Sequence, residues 1–168
     1  VGEILMDYDD DKMVPVYGFG ATLNYPGLKT SGVSHSFPCT GVKASDEVAG
    51  LDVIFEVYEY AHKHITLNGP THFSPLFKEI VEKAKARFNE NPDNYSFFLI
   101  ITDGEIHDMV DTVGVLVEAC STPLSVVIVG VGNENFENMR KLDEGNCVDR
   151  LGRKPARQYH PAHSDCSQ

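Results

Sequence analysis

Tyr95-Ser-Phe-Phe-Leu-Ile-Ile-Thr-Asp-Gly104 is an unbroken apolar run that ends in a hydroxyl, a carboxylate and a glycine. A short continuous apolar run predicts a strand covered on both faces, as in a parallel sheet. In open α/β sheets, ligands gather beyond the carboxyl ends of the strands. Asp103 therefore stands where a site is expected, and Gly104 lets the chain turn away sharply. A helix is predicted to follow, with Asp108 as its N-cap and Val110, Val113, Leu116 and Val117 at helical spacing. A second buried strand is predicted over residues 124–131, ending in Gly130-Val-Gly-Asn133. Strand, site loop, helix, strand is half of a doubly wound α/β sheet.

Working outward, residues 14–19 read as a third buried, parallel strand, with Pro15 near its start and Gly18-Phe-Gly20 closing it. Residues 24–41 are rich in Gly, Pro, Ser and Thr and read as a long loop with a short strand near residues 34–37. Ser45-Asp46-Glu47 is expected to start a helix whose inward stripe is Val48, Leu51, Phe55, Tyr58 and Ala61. Residues 65–67 read as a brief strand or a turn, and Asn68-Gly-Pro-Thr71 as a loop. Ser74-Pro75 reads as an N-cap followed by proline at the first helical position. Phe77, Ile80, Val81, Ala84 and Phe88 supply that helix's apolar face. Residues 1–8 read as the tail of a helix and residues 135–142 as a short one. The expected organisation is one domain over residues 1–157 and an unstructured tail over residues 158–168.

The chain has 168 residues, 42% of them hydrophobic, and a formal net charge of −11. That composition suits a globular domain. No cluster of Lys and Arg is present to neutralise phosphates, which argues against nucleic acid as a partner. The same charge opposes unaided adsorption to anionic lipid. No apolar run is long enough to span a bilayer, and no secretory signal opens the sequence. The four cysteines are scattered without a C-x-x-C pair. They read as reduced thiols of a cytoplasmic protein, with Cys120 packing as a small hydrophobe.

Candidate chemistry sits on two loops, one presenting Thr71 before a helix and the other Asp103 after a strand. A hydroxyl and a carboxylate are hard oxygen ligands suited to Mg²⁺, Mn²⁺ or Ca²⁺. The alternative is that Thr71 caps a turn and Asp103 caps the next helix. His72 and His107 lie on the same loops, but a zinc site needs several ligands in tetrahedral geometry. Asp9-Asp-Asp11 lacks the alternation and distant Glu of an EF-hand. The absence of a G-x-S-x-G elbow and of a phosphate-binding glycine loop argues against a hydrolase or a nucleotide-binding enzyme.

Three stretches taken together resemble the copines. They are Asn68-Gly-Pro-Thr71, Ile101-Thr-Asp-Gly104 with Asp108-Met109, and Pro123-Leu-Ser-Val-Val-Ile-Val-Gly-Val-Gly-Asn133. Tyr17-Gly-Phe-Gly-Ala21, Ser34-His-Ser-Phe37, Met139, Leu142-Asp143 and residues 152–157 also match. The resemblance implies a Rossmann-like, mostly parallel sheet of the von Willebrand factor A type. It also implies a metal-ion-dependent adhesion site built from three loops, in which Thr71 and Asp103 supply two loops' ligands to Mg²⁺ or Ca²⁺. The site's first loop, D-x-S-x-S, and the central strand before it have no counterpart in this sequence. They are expected upstream of Val1.

The resemblance further implies a non-enzymatic, cytoplasmic protein-interaction module. Its partners are intracellular proteins held through an acidic residue at the metal. Membranes are reached only through calcium-dependent lipid-binding domains that lie outside this sequence. The alternative is a substrate-recruiting domain of a RING-type ubiquitin ligase whose catalytic part lies elsewhere. Without the central strand, the isolated chain is expected to be poorly stable, to aggregate, or to close its sheet by strand exchange.

Overall fold

The computed structural model describes residues 6, 7, 9, 11–133, 136–143 and 148–154. The expected helix tail at residues 1–8 and the expected end segment at residues 158–168 fall largely or wholly outside that range. The backbone gathers into two compact units, residues 1–70 and residues 71–168.

The first unit is built of short antiparallel strands and one helix. β1 (Met13–Pro15) pairs with β6 (Glu47–Ala49), and β2 (Tyr17–Gly18) pairs with β5 (Phe37–Pro38). β3 (Ala21–Tyr25) is the middle strand between β4 (Leu28–Lys29) and β7 (Ile65–Leu67). Helix α1 (Gly50–His64) runs between β6 and β7. Alternation along β3 sends Ala21, Leu23 and Tyr25 into a core with Phe37, Cys39 and Ala61. The Tyr25 hydroxyl donates to the Cys39 carbonyl at 3.3 Å, and its ring stacks on His64 with centroids 5.5 Å apart. Burial pushes the Cys39 thiol up to about 11, so it packs as an inert hydrophobe.

Three expectations fail here. Residues 14–19 form no parallel strand. They are half-buried and split at Val16, whose N–H donates to the Asp46 carbonyl beside β6 while its own carbonyl accepts the Cys39 N–H beside β5, so the chain changes partner there and both pieces pair antiparallel. The helix does not begin at Ser45 either. Glu47–Ala49 is drawn into the β1 ladder, and Gly50 at φ +79° turns the chain into α1. Docking on the β3 core then sets the helix face. Val57 and Ala61 point inward, while Phe55 and Tyr58 are each 65% exposed.

The second unit carries the decisive run. β8 (Ser96–Thr102) and β9 (Leu124–Gly130) pair in parallel along their full length, from Ser96↔Leu124 to Thr102↔Gly130. Helix α2 (Ser74–Glu90) precedes β8, and α3 (Met109–Ala119) makes the crossover to β9. One face of the pair is buried, with Ile100, Thr102, Leu124, Val126 and Ile128 all inside. Phe98 meets the fully buried Phe77 of α2 edge-on at 5.6 Å. α2 and α3 pack against each other. The other face departs from the expected two-sided burial, since Phe97 is 48% and Ile101 60% exposed. The described residues are thus mixed α/β, with one parallel pair and three antiparallel groups, and not one continuous parallel sheet.

The strand ends close against one ring. Helix α4 (Glu137–Asp143) buries Met139 and Leu142, and Phe136 just before it lies over Gly104 and Gly130. A Cβ at Gly130 would come within 2.5 Å of the Phe136 ring, and one at Gly104 within 2.6 Å. After α4, residues 148–154 are held by side chains. The Asp149 carboxylate accepts from Leu151 N–H, Arg153 N–H and Arg153 Nε, while Arg150 forks onto Asp111 of α3. The two glycines make different predictions. Gly130→Ala and Gly104→Ala each destabilise the chain by about 1–3 kcal/mol through overpacking. In urea-unfolding cycles, Phe136→Ala offsets most of the penalty at Gly130. It leaves a residual cost at Gly104, whose φ of +99° strains any L side chain.

Candidate functional site

Both predicted site residues, Thr71 and Asp103, belong to the second unit. β8 ends at Thr102, whose hydroxyl accepts the Gly104 N–H at 3.2 Å. Thr102 O also accepts the Val131 N–H at 2.8 Å, tying the loops after β8 and β9 together. Asp103 follows and is exposed. Among the described residues, its carboxylate accepts only a long bond, 3.4 Å, from the Glu105 N–H. Asp103 therefore does not cap α3, and most of its acceptor capacity faces solvent.

The Thr71 loop is bracketed to the Asp103 loop by His107. Thr71 N–H donates to His107 Nδ1 at 3.1 Å, and His107 N–H donates to the Thr71 carbonyl at 2.9 Å. With Nδ1 accepting, the neutral ring carries its proton on Nε2. This leaves the Thr71 side-chain hydroxyl out of the bracket. His72 is half-buried on the same loop.

Asp108 fastens the bracket. Its Oδ1 accepts the Phe73 N–H and its Oδ2 the Ser74 N–H, each at 2.8 Å. The Thr112 hydroxyl adds a 3.2 Å bond to Oδ1. Asp108 begins α3, as expected, but its carboxylate caps the first turn of α2. Ser74 was expected to cap that helix. Instead it is the first helical residue, and the cap comes from another loop. Burial alone would raise the Asp108 carboxyl, but the bonds from Phe73, Ser74 and Thr112 outweigh it and hold the group below the usual carboxylate range. No sequence signal announces this partner across the fold. The Asp108/Thr112 spacing hints only at the local bond.

Thr71 and Asp103 fit a hard divalent cation in donor type, but two oxygens are only part of the six that Mg²⁺ prefers. Among the described residues, no group of three or more His, Cys, Asp and Glu is placed to hold a metal. The residues present therefore do not make a complete site by themselves. Likewise, no helix among the described residues is long and apolar enough to cross a membrane.

The copine family profile matches residues 1–161 of the chain. The chain is 38% identical over 152 residues to Copine-A of Dictyostelium discoideum, which covers 90% of the chain and 25% of that protein. It is 39% identical over 159 residues to Copine-C of the same organism, covering 94% of the chain and 28% of that protein. Nicotinic receptor-associated protein 1 of Caenorhabditis elegans is 36% identical over 145 residues, covering 86% of the chain and 22% of that protein. The chain thus spans about a quarter of the length of these curated relatives.

The clamp predicts a signed pH response. A carboxyl whose folded value is depressed adds stability above its unfolded value and loses it as pH falls through the folded one. Asp108→Ala should destabilise the chain by about 1–3 kcal/mol at neutral pH, because two helix-start N–H groups lose their acceptor. In denaturant titrations, the gap between wild type and variant should narrow as pH falls below about 4.

Proposed function

Because the chain belongs to the copine family, we propose that it is a non-enzymatic protein-interaction module whose binding edge is formed by the Thr71 and Asp103 loops. The observation that carries the reading is the Thr71–His107 bracket and its Asp108 clamp, beside an exposed Asp103 carboxylate with a single weak bond among the described residues. A rigid backbone frame with an uncommitted carboxylate at a strand end suits ligand capture better than a structural role.

In this reading, Thr71 and Asp103 are two of the ligands to Mg²⁺ or Ca²⁺. The remaining ligands come from a D-x-S-x-S loop in a longer polypeptide, on a central strand that completes a Rossmann-like, von Willebrand factor A-type sheet. The β8–α3–β9 crossover supports that architecture. The bound cation would take a carboxylate from a partner protein. That one similar protein is named for association with a nicotinic receptor also favours a protein partner. Lipid contact would come through other domains of the longer protein, and the working compartment would be the cytoplasm.

Calorimetric titration tests the metal. The 168-residue chain should bind neither Mg²⁺ nor Ca²⁺ tightly. A longer polypeptide with the upstream strand and loop should bind, and Asp103→Ala or Thr71→Ala should abolish that binding. Tight binding by the short chain that survives Asp103→Ala would place the site elsewhere.

A further inference from the structure

Thr71 has two backbone polar groups, and one residue satisfies both. Its N–H donates to His107 Nδ1 at 3.1 Å, and its carbonyl accepts the His107 N–H at 2.9 Å. Any residue but proline could make the second bond, because it runs between backbones. The first needs the imidazole. Beyond Thr71 the next acceptor is also a side chain from the loop after β8, since Asp108 takes the Phe73 and Ser74 N–H groups at 2.8 Å each. On the other side of Thr71 the loop is open. Gly69 and Pro70 are exposed, and a Cβ at Gly69 would meet nothing within 4 Å.

We infer that His107 is a positioning residue, whose imidazole fixes the Thr71 backbone so that the Thr71 hydroxyl is held in place for a hard cation. The inference rests on the reading of Thr71 and Asp103 as cation ligands. The two His107 bonds pin the peptide planes before and after Thr71, and thereby its φ and ψ. A threonine side chain is β-branched and keeps to few χ1 positions. The hydroxyl is therefore confined before a cation arrives. Binding then spends less on ordering the loop, which is the general route by which preorganisation raises affinity. Hydrogen bonds that orient a ligand from behind carry roughly 10–100-fold of metal affinity in well-studied sites.

His107 and Asp108 divide the work. Asp108 is half-buried and closes the start of α2, so its loss costs stability. His107 is exposed, and among the described residues its ring bonds the Thr71 N–H alone. An exposed hydrogen bond that water can replace adds little to folding. The imidazole thus governs where Thr71 sits more than whether the chain folds. The ring is not itself a ligand here, because Nδ1 is taken by Thr71 and Mg²⁺ or Ca²⁺ prefers oxygen.

Amide hydrogen exchange on the 168-residue chain reads the pinning directly. His107→Ala should speed exchange at Thr71 by roughly tenfold or more, while Phe73 and Ser74, held by Asp108, exchange as in the wild type. His107→Asn, whose side-chain carbonyl can accept the same N–H, should restore protection. Calorimetric titration with Mg²⁺ uses the longer polypeptide that carries the upstream strand and loop. There His107→Ala should raise the dissociation constant roughly tenfold at an unchanged urea midpoint, and His107→Asn should recover most of the loss. Unchanged exchange at Thr71 overturns the positioning role alone. So does an unchanged dissociation constant in His107→Ala where Asp103→Ala abolishes binding, or an affinity loss that His107→Asn does not rescue and that a lower urea midpoint accompanies. Mg²⁺ binding that survives both Asp103→Ala and Thr71→Ala removes the reading beneath it, and the positioning role with it.

Discussion

The second unit depends on one carboxylate. Asp108 stands at the first turn of α3 yet completes the first turn of α2, accepting two backbone N–H groups there and a hydroxyl from its own helix. A helix start leaves several N–H groups without internal partners and carries a partial positive charge, so an anion is favoured at each. The Asp108 carboxylate satisfies the start of α2, while at its own helix it takes only the Thr112 hydroxyl. The loops are then held in register, and the reciprocal Thr71–His107 bonds follow from that register.

Division of labour between two nearby aspartates follows from the same geometry. Asp108 is half-buried and fully committed to structure, so Asp103 need not cap anything. Asp103 stays exposed at the strand's carboxyl end, the position where a parallel sheet offers its side chains to a ligand. The Phe136 ring over Gly104 and Gly130 limits how far these loops can spread, because only glycine leaves room for it at both strand ends. In the first unit the corresponding frame is apolar. Tyr25 of β3 packs with Phe37 and Cys39, and its hydroxyl finds a buried carbonyl acceptor.

Much of the second unit was legible from local pattern. The two apolar runs became β8 and β9, the stripe at Val113 and Leu116 became the buried side of α3, and Phe77, Val81 and Ala84 became that of α2. The first unit resisted. Its strands are two to five residues long, too short for a period to declare itself, and residues 47–49 carry the acids and spacing of a helix start while serving as a strand. The inward stripe of α1 differs from the expected one, because Phe55 and Tyr58, though large and apolar, face outward. Exposure depends on which neighbour a face meets, and hydrophobicity alone does not carry that.

Taken alone, the sequence determined that residues 95–104 form a strand ending in a carboxylate, that a helix follows, and that Thr71 and Asp103 sit on loops at the element ends. Those are consequences of periodicity, turn chemistry and glycine placement within a few residues. The tertiary structure decided which loops meet, which helix Asp108 caps, and that residues 13–18 pair antiparallel. Each of those rests on hydrogen bonds between residues some twenty to forty positions apart, in which at least one partner is a backbone group that local pattern does not mark out.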